Sequence, residues 1–280
     1  MKLVRFGAPG AERPGMIDAD GIVRDLAGHV GDLDGRTLDP ATLARLRSLP
    51  AASLPAAAPG SRLGPCVANV GKIVCVGLNY REHAVESRQA VPSEPVLFMK
   101  APSCITGPND GIQIPAGGTE VDWEVELGLV IGSTVRHVGE PDALRHVAGY
   151  CVFNDVSERA WQLKGTGQWV KGKSADSFGP LGPWLVTADE VPDPQRLHLW
   201  LSVNEERQQD SSTAHMIFPV ATLLSFISRF MTLCPGDVVA TGTPAGVALG
   251  RNPPRYLRAG DVVRCGVEGL GEQRSLVRAA

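Results

Sequence analysis

Residues 121–131 read VDWEVELGLVI, and this stretch decides the fold of the chain. Its apolar residues alternate with acidic residues and a glycine, which is the two-residue period of a β-strand. Glu124 and Glu126 therefore share one face of the predicted strand. An edge strand with its charged face in water shows the same alternation and is the more common case. Gly128 weakens that interpretation, because a glycine inside a strand is costly unless another group approaches it closely.

The composition is that of a folded protein with no nucleic-acid-binding surface. The chain has 280 residues, of which 43% are hydrophobic, so it can bury a sizeable core. Its 27 basic and 30 acidic residues are interspersed and leave no basic stripe for a phosphate backbone. No apolar run reaches the roughly 18 residues of a membrane helix, and the first residues lack a signal-peptide pattern. We therefore expect a cytoplasmic protein that binds neither nucleic acid nor membrane.

Short apolar runs separated by glycine and proline indicate many strands and turns. The chain has 32 glycines and 22 prolines, above average usage. The runs predict hairpins over residues 1–28, a helix over residues 40–48, a strand over residues 73–76, a helix over residues 80–88 and an amphipathic helix within residues 215–233. We predict an α+β fold that is mainly β, with a small N-terminal β domain and linker over residues 1–65 and a larger domain over residues 66–280.

A third carboxylate could join the two glutamates. Asp155 follows an apolar run over residues 150–153, so we expect it at a strand end, where functional side chains commonly project. Together with Glu124 and Glu126 it would complete a cluster of three acids. Two such charges about 4 Å apart repel by roughly 4 kcal/mol at an effective dielectric constant near 20, which only a bound cation makes tolerable. Ligation by a few carboxylates suits Mg²⁺ or Mn²⁺ better than Zn²⁺.

Three further segments hold residues that could take part in chemistry. His83 and Glu86 share one face of a predicted helix, where the carboxylate could orient the imidazole, although a solvated surface helix explains the same pair. Lys173 precedes a rigid turn over residues 178–183, although most such lysines are simply solvated. Residues 241–244, Thr-Gly-Thr-Pro, follow a predicted strand and offer backbone amides to a small carboxylate.

These motifs follow one another along the chain in the same order as in one known family. The chain resembles the fumarylacetoacetate hydrolase family from about residue 73 to the carboxyl terminus. Several motifs that agree in order are far more specific than any one of them. The matching motifs are Gly77–Tyr80 with His83 and Glu86, Pro95–Lys100, Glu124–Gly128, Asn154–Arg159, Lys173 with Ser174, Phe178–Pro180 and Thr241–Val247.

The resemblance implies a mixed β-roll around a divalent Mg²⁺ or Mn²⁺, and a homodimer. It also implies three sets of site residues. The metal ligands are Glu124, Glu126 and Asp155, the base is His83 assisted by Glu86, and the substrate site is lined by Lys100, Arg159, Gln162, Lys173 and Thr243. Because the base is implied to lie on a segment that folds over bound substrate, we expect residues 80–91 to form a mobile lid.

Residues 154–183 and 251–271 look most like the branch named for ureidoglycolate lyase or for hydrolases of 2,4-diketo-3-deoxy sugar acids. We expect a metal-dependent hydrolase that cleaves a C–C bond in a small 2,4-dioxo acid, with Lys173 stabilising the oxyanion. Ureidoglycolate lyase, oxaloacetate decarboxylase and 2-oxo-acid hydratase are alternatives on the same scaffold. A non-catalytic, metal-stabilised binding protein is a more distant alternative, because a mere fold has no reason to keep His83 and Glu86.

Overall fold

The computed structural model describes residues 1–280 and is built mainly from short β-strands. The strands are β1 (Lys2–Phe6), β2 (Arg13–Ile17), β3 (Val23–Asp25), β4 (Ile73–Gly77), β5 (Val96–Lys100), β6 (Ile105–Thr106), β7 (Ile112–Gln113), β8 (Val121–Asp122), β9 (Val125–Ile131), β10 (Val147–Asn154), β11 (Ser157–Glu158), β12 (Gly179–Thr187), β13 (His198–Val203), β14 (Glu206–Ser212), β15 (Val238–Ala240), β16 (Val262–Val267) and β17 (Gly271–Arg278). The α-helices are α1 (Pro40–Arg47), α2 (Arg81–Glu86), α3 (Glu140–Ala143), α4 (Arg159–Leu163), α5 (Val170–Lys173) and α6 (Val220–Ile227).

Two sheets form the frame of the molecule. A 10-stranded sheet has the order β3-β2-β1-β12-β10-β9-β15-β4-β5, with β6 paired to β12. A 5-stranded sheet has the order β14-β13-β16-β17-β7. Most neighbours are antiparallel, while β4 and β15, β6 and β12, and β7 and β17 are parallel. The predicted fold class, α+β and mainly β with mixed sheets, is confirmed.

The acidic strand lies inside the larger sheet and not at its edge. β9 is hydrogen-bonded to β10 on one side and to β15 on the other. Every residue of β9 and β10 is buried, and their apolar side chains belong to a core cluster of 56 residues. The edge-strand interpretation is therefore wrong. Gly128 explains the close packing, since a Cβ built on it would lie 3.1 Å from Sγ of Cys151 on β10.

The predicted strand over residues 121–131 is interrupted at Trp123 and Glu124. Its first two residues form β8, which pairs with β11, and only the remainder forms β9. Side chains replace the missing ladder bonds: Asn154 Oδ1 accepts from the Glu124 N–H at 3.1 Å, and Gln209 Oε1 accepts from the Val125 N–H at 3.0 Å. The break turns the Glu124 side chain toward the end of β10.

The N-terminal segment forms the predicted hairpins, and these extend the large sheet. β2 pairs with β1 and β3, and β1 pairs with β12. The linker segment returns to the hairpins, where Arg62 Nη1 donates to the Gly7 carbonyl at 3.0 Å. The domain boundary near residue 65 stays a prediction.

The amphipathic helix within residues 215–233 is shorter than its apolar pattern. α6 begins only after Pro219 and ends at Ile227. Pro219 fixes the start, because proline is tolerated at the first turn of a helix and not inside it. Ser228, the residue after the last helical one, accepts a hydrogen bond at Oγ from the Val138 N–H at 3.0 Å. None of the helices has the length and apolar character needed to cross a membrane.

Candidate active site

Three buried carboxylates meet where β9 begins and β10 ends. Glu126 belongs to β9, Glu124 directly precedes β9, and Asp155 directly follows β10. Because the two strands are antiparallel neighbours, the start of one lies beside the end of the other, and Phe153 pairs with Glu126. One oxygen of each carboxylate lies within 4.8 Å of the others, and all three residues are buried. The structure thus brings the three predicted metal ligands together.

Lysine and arginine side chains neutralise two of these carboxylates. Lys173 Nζ donates to Glu124 Oε2 at 2.6 Å and to Asp155 Oδ2 at 2.7 Å. Arg159 Nη2 donates to Glu124 Oε1 at 2.5 Å, and Lys100 Nζ donates to Asp155 Oδ1 at 2.5 Å. Burial opposes ionisation of Glu124, but the charges of Arg159 and Lys173 hold its pKa well below its usual range. Glu124 is therefore held as a carboxylate.

Glu126 has no cationic partner within the chain. Its Oε2 accepts a hydrogen bond from the Gly242 N–H at 2.8 Å. Burial, together with the charges of Asp155 and Glu124, raises the pKa of Glu126 well above its usual range. The buried cluster contains four acids and three bases, so the acids exceed the bases by one. The acids are Asp122, Glu124, Glu126 and Asp155, and the bases are Lys100, Arg159 and Lys173.

This donor set fits a hard divalent cation. A carboxylate oxygen has a second lone pair, so the oxygens that already accept from lysine or arginine can still bind a metal. All-oxygen ligation suits Mg²⁺ or Mn²⁺. A bound cation would favour ionisation of Glu126 and would neutralise the charge that this residue then carries. The residues that would hold the ion are Glu124, Glu126 and Asp155.

His83 and Glu86 form a hydrogen-bonded pair on α2. His83 Nδ1 lies 2.9 Å from Glu86 Oε1, and His83 is 6% exposed, so the solvated-helix interpretation does not hold for the histidine. The backbone N–H of Gly246 donates to both carboxylate oxygens of Glu86, at 3.0 and 2.9 Å. Glu86 thus fixes the ring of His83 and leaves Nε2 available to a ligand.

A cavity of about 520 Å³ connects α2 with the carboxylates. Apolar and aromatic side chains, among them Phe98 and Trp169, form part of its wall. Most of the predicted site residues line this single cavity: His83, Glu86, Glu124, Glu126, Arg159, Gln162, Lys173 and Thr243. The volume and the mixed lining are typical of a small-molecule site.

Two predicted substrate-binding residues, Lys100 and Thr243, form hydrogen bonds within the protein. Lys100 is fully buried below the cavity, where its ammonium donates to Asp155 and to the Val156 carbonyl at 3.1 Å. It is placed to position Asp155, and its contact with substrate stays a prediction. Thr243 lines the cavity, but its hydroxyl donates to the Val125 carbonyl at 2.9 Å and accepts from Gln209 Nε2 at 2.8 Å. Its side chain chiefly holds the wall in place.

Sequence reasoning missed a buried residue that organises the site. Asp122 accepts from Arg159 Nε at 2.8 Å, and it also accepts from the backbone N–H groups of Ala248 at 2.8 Å and Leu249 at 3.1 Å. It shares the acidic alternation of the quoted stretch, which was a usable signal. Trp169 was also missed and gives no periodic signal, because it lies between two short helices.

The chain matches a known protein family over most of its length. The fumarylacetoacetate (FAA) hydrolase C-terminal family matches residues 72–278. A Burkholderia multivorans protein that bears the name "Putative hydrolase" is 58% identical over 281 residues, covering 100% of both chains. The fold and the cavity define a β-rich enzyme scaffold for small molecules. The chain belongs to the fumarylacetoacetate hydrolase family.

Solved structures of this family share the whole fold. Fumarylacetoacetate hydrolase from Exiguobacterium antarcticum has a TM-score of 0.86 at 38% identity. Maleylpyruvate hydrolase from Sphingobium sp. SYK-6 has a TM-score of 0.82 at 29% identity. 5-Carboxymethyl-2-hydroxymuconate delta-isomerase from Mycobacterium smegmatis has a TM-score of 0.78 at 32% identity. Each comparison covers 100% of both chains.

Proposed function

We propose that this protein is a hydrolase dependent on Mg²⁺ or Mn²⁺ that cleaves the C–C bond between C3 and C4 of a small 2,4-dioxo acid. One observation supports the proposal above all others. Glu124, Glu126 and the His83–Glu86 pair line one cavity, and Asp155 lies beside the two glutamates, which supports a metal site and a general base that act on one small ligand. The names of two solved relatives, fumarylacetoacetate hydrolase and maleylpyruvate hydrolase, agree with this substrate class.

Each residue of the site has a separate role in the proposed reaction. A divalent cation held by Glu124, Glu126 and Asp155 would supply Lewis-acid polarisation of the 2-oxo acid end of the substrate. His83 Nε2 accepts a proton from water while the water oxygen forms a bond to C4. Glu86 keeps the ring oriented through Nδ1. The C3–C4 bond then breaks, C3 receives the proton from His83, and the products are a carboxylic acid and a shorter 2-oxo acid.

We assign to Lys173 the stabilisation of the oxyanion that forms at C4. Its ammonium has three N–H donors, and two of them are used by Glu124 and Asp155. Burial lowers and the neighbouring carboxylates raise the pKa of Lys173, and the net direction is upward. The residue therefore stays protonated and keeps one donor for the substrate.

Isomerisation is a second candidate reaction, because one solved relative is named as a delta-isomerase. A base near C3 could move a proton without activating water. Ureidoglycolate lyase, oxaloacetate decarboxylase and 2-oxo-acid hydratase remain further alternatives at the same site. We also propose that the protein is a cytoplasmic homodimer.

A substrate panel tests the proposal. Metal-stripped protein is incubated with acetylpyruvate, oxaloacetate, ureidoglycolate and a 2,4-diketo-3-deoxy sugar acid, with Mg²⁺, Mn²⁺ or EDTA, and products are quantified. We expect acetylpyruvate to yield equal amounts of acetate and pyruvate only when metal is present. The proposal of hydrolysis would be wrong if no 2,4-dioxo acid released a carboxylic acid. Decarboxylation or isomerisation in that case would support one of the alternative reactions.

A further inference from the structure

One arginine of the cavity wall has no partner within the chain. Arg251 is partly buried and lines the cavity, and its Nε is shielded from solvent with no acceptor. None of its guanidinium nitrogens forms an ion pair with a carboxylate. A shielded donor without an acceptor lowers the stability of the fold, so native structures seldom keep one without reason. The position favours an acceptor that comes from a ligand.

A second arginine of the same cavity shows the opposite arrangement. Arg159 donates to Asp122 at 2.8 Å and to Glu124 at 2.5 Å, so its charge is compensated within the protein. Arg159 therefore belongs to the metal end of the cavity. Arg251 differs because its charge is still available to an anion.

The loop that bears Arg251 contacts the end of α2. A Cβ built on Gly250 would lie only 2.7 Å from Oε2 of Glu86. Arg88 follows Glu86 by two residues, is exposed, and lines the same cavity without forming an ion pair. Glu86 is bound by His83 and by the Gly246 N–H and forms no ion pair with either arginine, so its single negative charge leaves a net positive charge here. This junction of lid and loop is thus a positively charged wall.

The loop is also fixed relative to the metal site. Asp122 accepts from the backbone of Ala248 and Leu249 and, through Arg159, is linked to Glu124. A ligand that spans from the carboxylate cluster to Arg251 therefore meets two anchors whose separation is set by buried hydrogen bonds. Such fixed separation selects ligands by length.

We propose that Arg251, together with Arg88, binds a second carboxylate at the far end of the substrate. The substrate class is then a dicarboxylic 2,4-dioxo acid, in preference to one with a neutral or polyhydroxylated tail. The planar guanidinium matches a carboxylate in shape and charge. This inference rests on the proposed function for its 2,4-dioxo acid, but the subsite can be measured without turnover.

Calorimetry with a matched pair of ligands tests the subsite. 2-Oxohexanedioate and 2-oxohexanoate have the same chain length and differ only in a terminal carboxylate or methyl group. Both are titrated into the parent chain loaded with Mn²⁺. A hydrogen bond to a charged group contributes about 1.5–3 kcal/mol, so we expect the dioate to bind about 10- to 100-fold more tightly.

Three variants locate the preference. Arg251→Gln should reduce the preference for the dioate to less than about threefold, and Arg88→Gln should reduce it by a smaller factor. Arg255→Gln is the matched control, because Arg255 lies in the same loop, is exposed, and pairs with Glu206 away from the cavity. It should keep the parental preference.

The possible results separate the two proposals. Equal binding of the two ligands by the parent, or an undiminished preference in both Arg251→Gln and Arg88→Gln, would overturn the anion subsite. Tighter binding of a polyhydroxylated 2-oxo acid of equal length would also overturn it. A clear preference for the dioate that depends on Arg251, in a chain that hydrolyses no 2,4-dioxo acid, would support the subsite and refute the proposed function.

Discussion

The two ends of the cavity are built by different means. At the metal end, the carboxylates are held by β9 and β10, whose residues are all buried, and each carboxylate except Glu126 is paired with a cation. At the lid end, α2 and the loop over residues 249–254 form the wall, and Arg88 and Arg251 have no partner. The metal end is organised by the protein itself, whereas the lid end depends on a ligand for its remaining interactions.

This difference has an energetic basis. A buried ion pair is tolerated when nearly every charge has a partner, and such a network resists displacement because breaking one pair leaves another charge unpaired. The side chains of Arg88 and Arg251 lack such pairs and can reorient when a ligand binds, although Asp122 holds the backbone of the loop. We therefore expect ligand-induced change at the lid end and very little at the metal end.

The largest expected effect comes from removing the unpaired carboxylate. Glu126→Gln should lower metal-dependent hydrolysis by at least about 10³-fold, because Lewis-acid stabilisation amounts to several kcal/mol. It should also abolish the rise in melting temperature on addition of Mn²⁺. Glu268→Gln, at an exposed acid, is the control. An unchanged thermal shift with Mn²⁺ in Glu126→Gln would remove this residue from the metal site.

The base at the lid end gives the next largest effect. His83→Ala should lower the turnover of a cleaved 2,4-dioxo acid by about 10²- to 10⁴-fold, with Mn²⁺ affinity nearly unchanged. Glu82→Ala, at an exposed position of the same helix, should have little effect. Decarboxylation of oxaloacetate needs no activated water, so it should depend less on His83. Equal loss of both activities would mean that the histidine organises the closed site and is not the base.

Hydrogen exchange compares the two ends directly. Binding of oxalate with Mn²⁺ should slow exchange across residues 80–91 by about tenfold or more, because the ligand orders the lid. Amides of β9 should change little, since that strand is already buried and paired on both sides. Identical lid exchange with and without oxalate would contradict a mobile lid.

The smallest expected effect concerns stability in the absence of metal. Because the pKa of Glu126 is raised above its ordinary 4.5, the metal-stripped fold loses stability as pH rises above that value. Glu126→Gln lacks this loss. The melting temperature of the variant minus that of the parent should therefore be larger at pH 8 than at pH 5. Each kcal/mol corresponds to about 2–4 °C in a chain of this size class. The same difference at both pH values would show that Glu126 is not an unpaired buried carboxylate.

The sequence carries enough information to predict the metal end. Alternation placed Glu124 and Glu126 on one face, and the position of Asp155 after an apolar run placed it at a strand end. Both predictions depend on local sequence patterns, which the sheet preserves for Glu126, whereas Glu124 lies in the break just before β9. The interruption at Trp123 was not predictable, because it depends on side chains of Asn154 and Gln209 that are distant in the chain.

The lid end could be predicted only in part. The three-residue spacing of His83 and Glu86 is local, and the structure keeps it as a hydrogen-bonded pair. Arg251 lies in a loop rich in glycine and proline without any periodicity, and its approach to α2 depends on tertiary contacts of Asp122 and Gly250. Loop geometry of this kind is set by long-range packing and so leaves no local signal.

A metal titration monitored by hydrolysis tests the central claim most directly. EDTA-stripped protein is supplied with acetylpyruvate, and the rate of pyruvate release is recorded as Mn²⁺ is added stepwise. We predict a rate near background without metal and a hyperbolic rise that saturates with one bound ion per chain, because one set of three carboxylates lies at the cavity. A stripped protein that hydrolyses acetylpyruvate at its full rate, with no response to Mn²⁺ or Mg²⁺, would contradict the account.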